Sequence, residues 1–233
     1  MNRQNKIKIN NISAILYGFA SDKLYLYVHG KHSGKEEAEH FAYIAEKSGY
    51  QVLSFDLPEH GERLNESYPC TVQNAVSDLN GIYSFVQDKY KSISLYACSL
   101  GAYFSLSAYQ NIILDKCLFL SPILDMEQLI RNMMKWANVS EDELKDKREI
   151  ATSFGETLSW DYYQYVRNHP VKKWNSKTFI LYGENDNLTD KSILDSFAIT
   201  HNCEVDIMEN GEHYFHTKEQ LDYLRNWLEK VIK

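Results

Sequence analysis

Ser99, Asp186 and His213 are the side chains whose types and order fit nucleophilic catalysis. A hydroxyl is a poor nucleophile until a base takes its proton, and imidazole titrates in the right range to do so. The imidazole in turn needs a carboxylate to hold its tautomer and steady the imidazolium. Ser99 lies in Ala97-Cys98-Ser99-Leu100-Gly101, a small-x-Ser-x-small stretch. Such a stretch makes a sharp strand-to-helix turn that exposes the hydroxyl, and its flanks must be small because two backbones nearly touch there. A tetrahedral intermediate also needs two main-chain N–H donors. Leu100 follows the nucleophile at a helix N-terminus, and Lys31, acting through its main chain alone, follows the strand at 23–28. Cys98 is the rival nucleophile, but it would need small residues where Tyr96 and Leu100 stand.

These residues need a frame. The stretch 7–17 alternates apolar and polar residues and reads as a strand or hairpin at a sheet edge. More continuous apolar runs at 23–28, 50–57, 92–97, 116–121, 178–182 and 203–208 read as buried strands. Between them, helical spacing predicts helices over 36–47, 71–90, 100–110 and 191–200, and a closing helix near 217 with Leu221, Leu224, Trp227, Leu228 and Ile232 facing inward. Strands alternating with helices imply α/β architecture: a mostly parallel, doubly wound sheet. Active sites in such sheets lie at the carboxyl ends of strands. Those ends carry His29-Gly30-Lys31, Asp56, Ser99, Asp186 and His213.

The rhythm breaks over 123–173, where no strand is expected. Met126, Leu129, Ile130, Met133 and Met134 share one helical face, Ser140-Glu141-Asp142-Glu143 reads as a capping box, and Trp160 to Val166 belongs to a third helix. The expected organisation is a core of 1–122 and 174–233 with a helical cap of 123–173 inserted in it. Met126, Met133, Met134, Trp136, Trp160 and Tyr163 are the candidate pocket lining, with core packing as the plain alternative.

The chain resembles the α/β-hydrolase family. The resemblance rests on His29-Gly30, on Asp56-Leu57-Pro58-Glu59-His60-Gly61, on the turn at Ser99, on Gly183-x-x-Asp186, and on the late His213. The capped single-domain members it is most similar to are carboxylesterases, monoacylglycerol lipases and cinnamoyl or feruloyl esterases. It departs from the pattern at Ala97, Glu59 and Arg63. The resemblance implies a Ser99–Asp186–His213 triad and favours Asp186 over Asp125 and Glu184 as the acid. It also implies that His29 and His60 are hydrogen-bonded loop anchors. Asp56 is expected to be a structural loop acid, His216 a helix cap and His201 a solvated helix-end residue.

The formal net charge of −7 argues against a nucleic-acid partner. No run approaches the ~20 apolar residues of a membrane span. The polar start, 1–6, leads into no apolar segment, so an ordinary signal peptide is not expected. Cys70, Cys98, Cys117 and Cys203 are scattered without a C-x-x-C pair and read as reduced thiols of a cytoplasmic protein, not as a disulfide frame or metal site. The reading is a cofactor-free serine hydrolase acting on a small-molecule carboxylic ester. Its alternatives are an aminopeptidase, amidase or thioesterase with the same triad, or a non-catalytic ligand-binding fold. Oligomeric state is not legible.

Overall fold

The structure, a computed structural model, describes residues 4–233. The first three residues of the polar amino-terminal stretch lie outside the described residues. Strands β1 (Gln4–Ile9) and β2 (Ile12–Tyr17) form the expected hairpin, turning at Asn10 and Asn11, both at positive φ. Asparagine tolerates that conformation, which two-residue hairpin turns require. There follow β3 (Lys23–Val28), α1 (Ala38–Lys47), β4 (Gln51–Phe55), α2 (Val72–Val86), β5 (Ser92–Cys98), α3 (Leu100–Tyr109) and β6 (Cys117–Leu120). After an insertion come β9 (Thr178–Gly183), α7 (Lys191–His201), β10 (Glu204–Met208) and α8 (Lys218–Val231). The eight-stranded sheet runs β1-β2-β4-β3-β5-β6-β9-β10. The β1–β2 and β2–β4 pairs are antiparallel, and every pair from β4 to β10 is parallel.

Alternation along the strands divides the core in two. Leu24, Leu26, Val28, Leu95 and Ala97 face α2 and α3. Tyr25, Tyr27 and Tyr96 face α1 and α8. On that second face Tyr27 stacks on Tyr96 with centroids 4.7 Å apart, and Phe41 of α1 packs against both and edge-on to Tyr25. Aromatic burial of this kind contributes roughly 1.5–3 kcal/mol per ring. It holds β3 and β5 side by side, and so holds their carboxyl ends together.

Two helices differ from expectation. Helix α2 starts at its Thr71 cap, where the hydroxyl accepts from Asn74 N–H, but ends at Val86 and not near residue 90. In α8, Leu221 is exposed, not inward. Gln220 takes the buried position in the first turn because its side chain closes the capping box with Thr217 and accepts from His216 N–H.

The larger correction is in the insertion. Between β6 and β9 run α4 (Met126–Trp136), α5 (Glu141–Lys147), β7 (Glu149–Ala151), β8 (Thr157–Ser159) and α6 (Trp160–Asn168). The two short strands form an antiparallel hairpin where no strand was expected. Each has three residues, too few for alternation to show. The hairpin is held by its turn: Thr152 N–H and Oγ1–H both donate to Glu156 C=O, at 2.8 and 2.7 Å. It is anchored by one buried side chain, Leu158.

Candidate active site

β5 ends at Cys98 and α3 begins at Leu100, so Ser99 alone makes the turn, at φ 49° and ψ −117°. A serine at positive φ is strained, and such strain persists only where the surroundings impose it. They do: a Cβ on Gly101 would lie 2.4 Å from His29 O and 2.7 Å from Val28 O, so α3 begins in backbone contact with the end of β3. Ser99 N–H donates to Leu120 O, and its C=O accepts from Ile123 N–H at 3.2 Å, tying the turn to β6 and the loop after it. The Ser99 side chain does not cap α3.

Instead, Ser99 Oγ lies 2.8 Å from His213 Nε2. His213 Nδ1–H donates to Asp186 Oδ2 at 2.7 Å. With Nδ1 carrying the proton, Nε2 is the acceptor for the serine hydroxyl. The Asp186 side chain is fully buried, and its other oxygen accepts from Leu188 N–H at 2.8 Å and Thr189 N–H at 3.0 Å. The carboxylate therefore accepts from three donors, which is how a buried charge is tolerated. The loops bearing Asp186 and His213 are joined by main-chain bonds, Asn185 N–H to Gly211 O at 2.7 Å and Glu184 N–H to Met208 O at 3.0 Å.

The rivals fall elsewhere. Cys98 ends β5 as a neutral thiol, since burial and then Glu37 push its pKa well up. His216 N–H donates to Gln220 at the start of α8, and Asp125 caps α4 by accepting from Gln128 N–H. His201 is partly buried with its ring 4.5 Å from Phe197 and its Nδ1 3.2 Å from Trp174 O, where a solvated residue was expected. His60 Nδ1–H donates to Pro58 O at 2.8 Å. His29 Nε2 accepts from Leu57 N–H at 3.0 Å, and burial lowers its pKa to about 4. His29 and His60 are thus loop anchors, and among the described residues no cluster of three or more His, Cys, Asp or Glu could hold a metal.

The turn after β3 lies against the serine: a Cβ on Gly30 would sit 3.4 Å from Ser99 Cβ. Lys31 is the next residue in that turn, and Leu100 opens α3, where main-chain N–H groups have no partner within the helix. Of the candidate pocket residues, Met126, Met134 and Tyr163 are buried in the core. Met133 and Trp160 are partly buried against it, and Trp136 is about half exposed.

Sequence reasoning missed the groups that hold Asp186. Thr189 is buried, and its hydroxyl donates to Pro122 O at 2.8 Å while its C=O accepts from Tyr182 OH at 2.7 Å. The signal for the two amides was local, since an Asp in a loop accepts from main-chain N–H groups two or three residues on whatever their side chains.

A sheet of this order, with a strained serine after β5, an acid after β9 and a histidine after β10, is the α/β-hydrolase fold. Comparison with solved structures agrees. The chain is similar to the esterase Est1E from Butyrivibrio proteoclasticus with ferulic acid bound, at TM-score 0.77 and 17% identity over 98% of this chain and 97% of that one. It is similar to a putative hydrolase from Agrobacterium vitis S4, at TM-score 0.78 and 15% identity over all of both chains. It is also similar to the Pyrococcus furiosus esterase Pf2001, at TM-score 0.68 and 20% identity over 100% of this chain and 90% of that one. No protein-family model and no curated protein matches the chain. Among the described residues no helix is long and apolar enough to cross a membrane.

Proposed function

We propose that this chain is a serine hydrolase that cleaves a carboxylic ester of a small or medium acyl or aryl substrate through an acyl-enzyme. The observation that carries the reading is the continuous hydrogen-bonded line from Ser99 Oγ through His213 to Asp186, 2.8 and 2.7 Å. Ser99 Oγ attacks the ester carbonyl as its proton passes to His213 Nε2. The C–O double bond opens, and the resulting oxyanion is held by the N–H groups of Leu100 and Lys31. Collapse breaks the ester C–O bond, and the alcohol leaves with the proton from His213. Water then gives a proton to the same nitrogen, attacks the acyl group, and releases the acid and free Ser99. Asp186 orients the imidazole and steadies the imidazolium as it forms. In this reading 123–173 is a cap over the serine, with some of Met126, Met133, Met134, Trp136, Trp160 and Tyr163 lining the acyl or aryl pocket.

The test is labelling with a fluorophosphonate and a chain-length series of nitrophenyl esters, with Ser99→Ala as the blank. Wild type labels and turns over, and Ser99→Ala loses at least about 10³-fold in kcat. Equal labelling of Ser99→Ala would sink the proposal. Aminoacyl anilides and thioesters in the same panel separate ester from amide and thioester hydrolysis.

A further inference from the structure

The turn beside Ser99 is gripped by the hairpin of the insertion. Lys31 Nζ forms an ion pair with Glu156 Oε2, and His32 Nε2 lies 4.0 Å from Glu156 Oε1. Glu156 is not a loose surface acid. Its C=O accepts twice from Thr152, and its N–H donates to Thr152 Oγ1 at 3.2 Å. Phe154, in the same turn, packs edge-to-face on Trp136 of α4 with centroids 6.0 Å apart. The carboxylate is therefore presented by a turn fastened both within the hairpin and to a helix.

The other side of the contact is a turn held from within by His29, whose Nδ1–H donates to Gly30 O at 2.7 Å. Gly30 to His32 lie in no helix or strand, and His32 has a left-handed φ of 61°. The Lys31 side chain reaches from this turn to the hairpin. Burial pushes the Cys70 thiol up to about 12, with Glu59 adding to the rise and Lys31 opposing it.

We infer that Glu156 is a positioning residue for the reaction: by holding the Lys31 side chain, it aims the Lys31 N–H at the place where the oxyanion forms. The inference rests on the serine-hydrolase reading and on Lys31 as an oxyanion donor. An oxyanion donor is effective only if it is already oriented when charge develops; the buried His29 ring holds the carbonyl of the Gly30–Lys31 peptide at 2.7 Å, while Lys31 and His32 beyond it lie in no strand or helix. A tether of 125 residues' separation, from an insertion that also covers this end of the sheet in the proposed function, supplies a second hold on the far side of that peptide. It also couples the specificity element to the chemistry, since displacing the hairpin would leave the donor with the His29 hold alone.

The experiment is a double-mutant cycle on nitrophenyl ester hydrolysis with Glu156→Gln, Lys31→Met and the pair together. Lys31→Met keeps the peptide N–H and removes only the tether. The burst of nitrophenol counts competent sites, so a partly misfolded preparation does not lower the kcat read per site. Each single variant is expected to lose about 5- to 20-fold in kcat, part of the roughly 10²- to 10³-fold that loss of a whole donor costs. KM should stay within about twofold, and the double variant should be no worse than the poorer single one, because both remove the same contact. The inference is overturned if Ser99-dependent turnover persists with kcat within twofold of wild type in both single variants, if the losses multiply in the double variant, or if only KM moves. Turnover that survives Ser99→Ala would instead overturn the hydrolase reading beneath it.

Discussion

Two lysines four positions apart in the chain, Lys31 and Lys35, sit at opposite ends of the loop after β3 and make ion pairs of opposite character. Lys35 is 1% exposed. Its Nζ lies 2.7 Å from the fully buried Asp56 and 3.2 Å from both Glu36 and Glu62. Asp56 also accepts from the main-chain N–H groups of Lys35 and Glu62. Burial opposes the charge on Lys35, but these carboxylates more than offset it and its pKa rises. This cluster welds the β3 loop to the β4 loop. Lys31 has a side chain 41% exposed and one close carboxylate partner among the described residues, Glu156, carried by a different part of the chain. Burial makes the first pair a requirement of folding. Exposure leaves the second nearly neutral for stability and free to act on orientation.

The largest effect expected is from removing Asp56. Asp56→Ala leaves Lys35 charged, buried and short of its principal partner, which costs about 3–5 kcal/mol. Urea unfolding reads this directly, and a loss under 1 kcal/mol would erase the distinction between the two lysines.

His29 touches both regions, accepting from Leu57 N–H in the β4 loop and donating to Gly30 O beside Lys31, and it predicts a pH dependence. Its folded pKa of about 4 is below its unfolded value of 6.5, so the unfolded chain binds the extra proton first as pH falls. The stability linked to neutral His29 is full above pH 6.5, falls as pH drops from there toward 4, and amounts to about 3 kcal/mol. Unfolding free energies across that window should fall in wild type and flatten in His29→Gln, which keeps an acceptor for Leu57 N–H. An unchanged slope in the variant would assign the effect to other groups.

The smallest effect sharpens the contrast most. Glu156→Gln should change stability by under about 0.5 kcal/mol, as for an exposed pair, while kcat falls as set out above. A thermal midpoint lowered by more than the equivalent of about 1 kcal/mol would make the Lys31 pair structural, like that of Lys35.

Much of the site was legible because its chemistry is local. The small residues around Ser99, the strand–helix alternation and the Asp and His after later strands are read over windows of a few residues. The register choice of Ser99 over Cys98 came from such a window too, and the positive φ falls on Ser99. What was not legible has no local period. Leu221 was misplaced because a helix stripe does not say which polar residue closes a cap. The β7–β8 hairpin was missed because three-residue strands with one buried leucine carry no alternation. The Lys31–Glu156 pair was out of reach because any of the many surface charges could have met that lysine.

By itself, the sequence determined the order of strands and helices outside the insertion and which residues stand at strand ends, since hydrophobic period and turn chemistry act between near neighbours. The tertiary structure alone decided that Ser99, His213 and Asp186 meet at hydrogen-bonding distance. It also decided that a hairpin in the insertion reaches the turn beside the serine. Those contacts depend on how two packed cores set the strands side by side and fold the insertion back across them, which no short stretch of chain encodes.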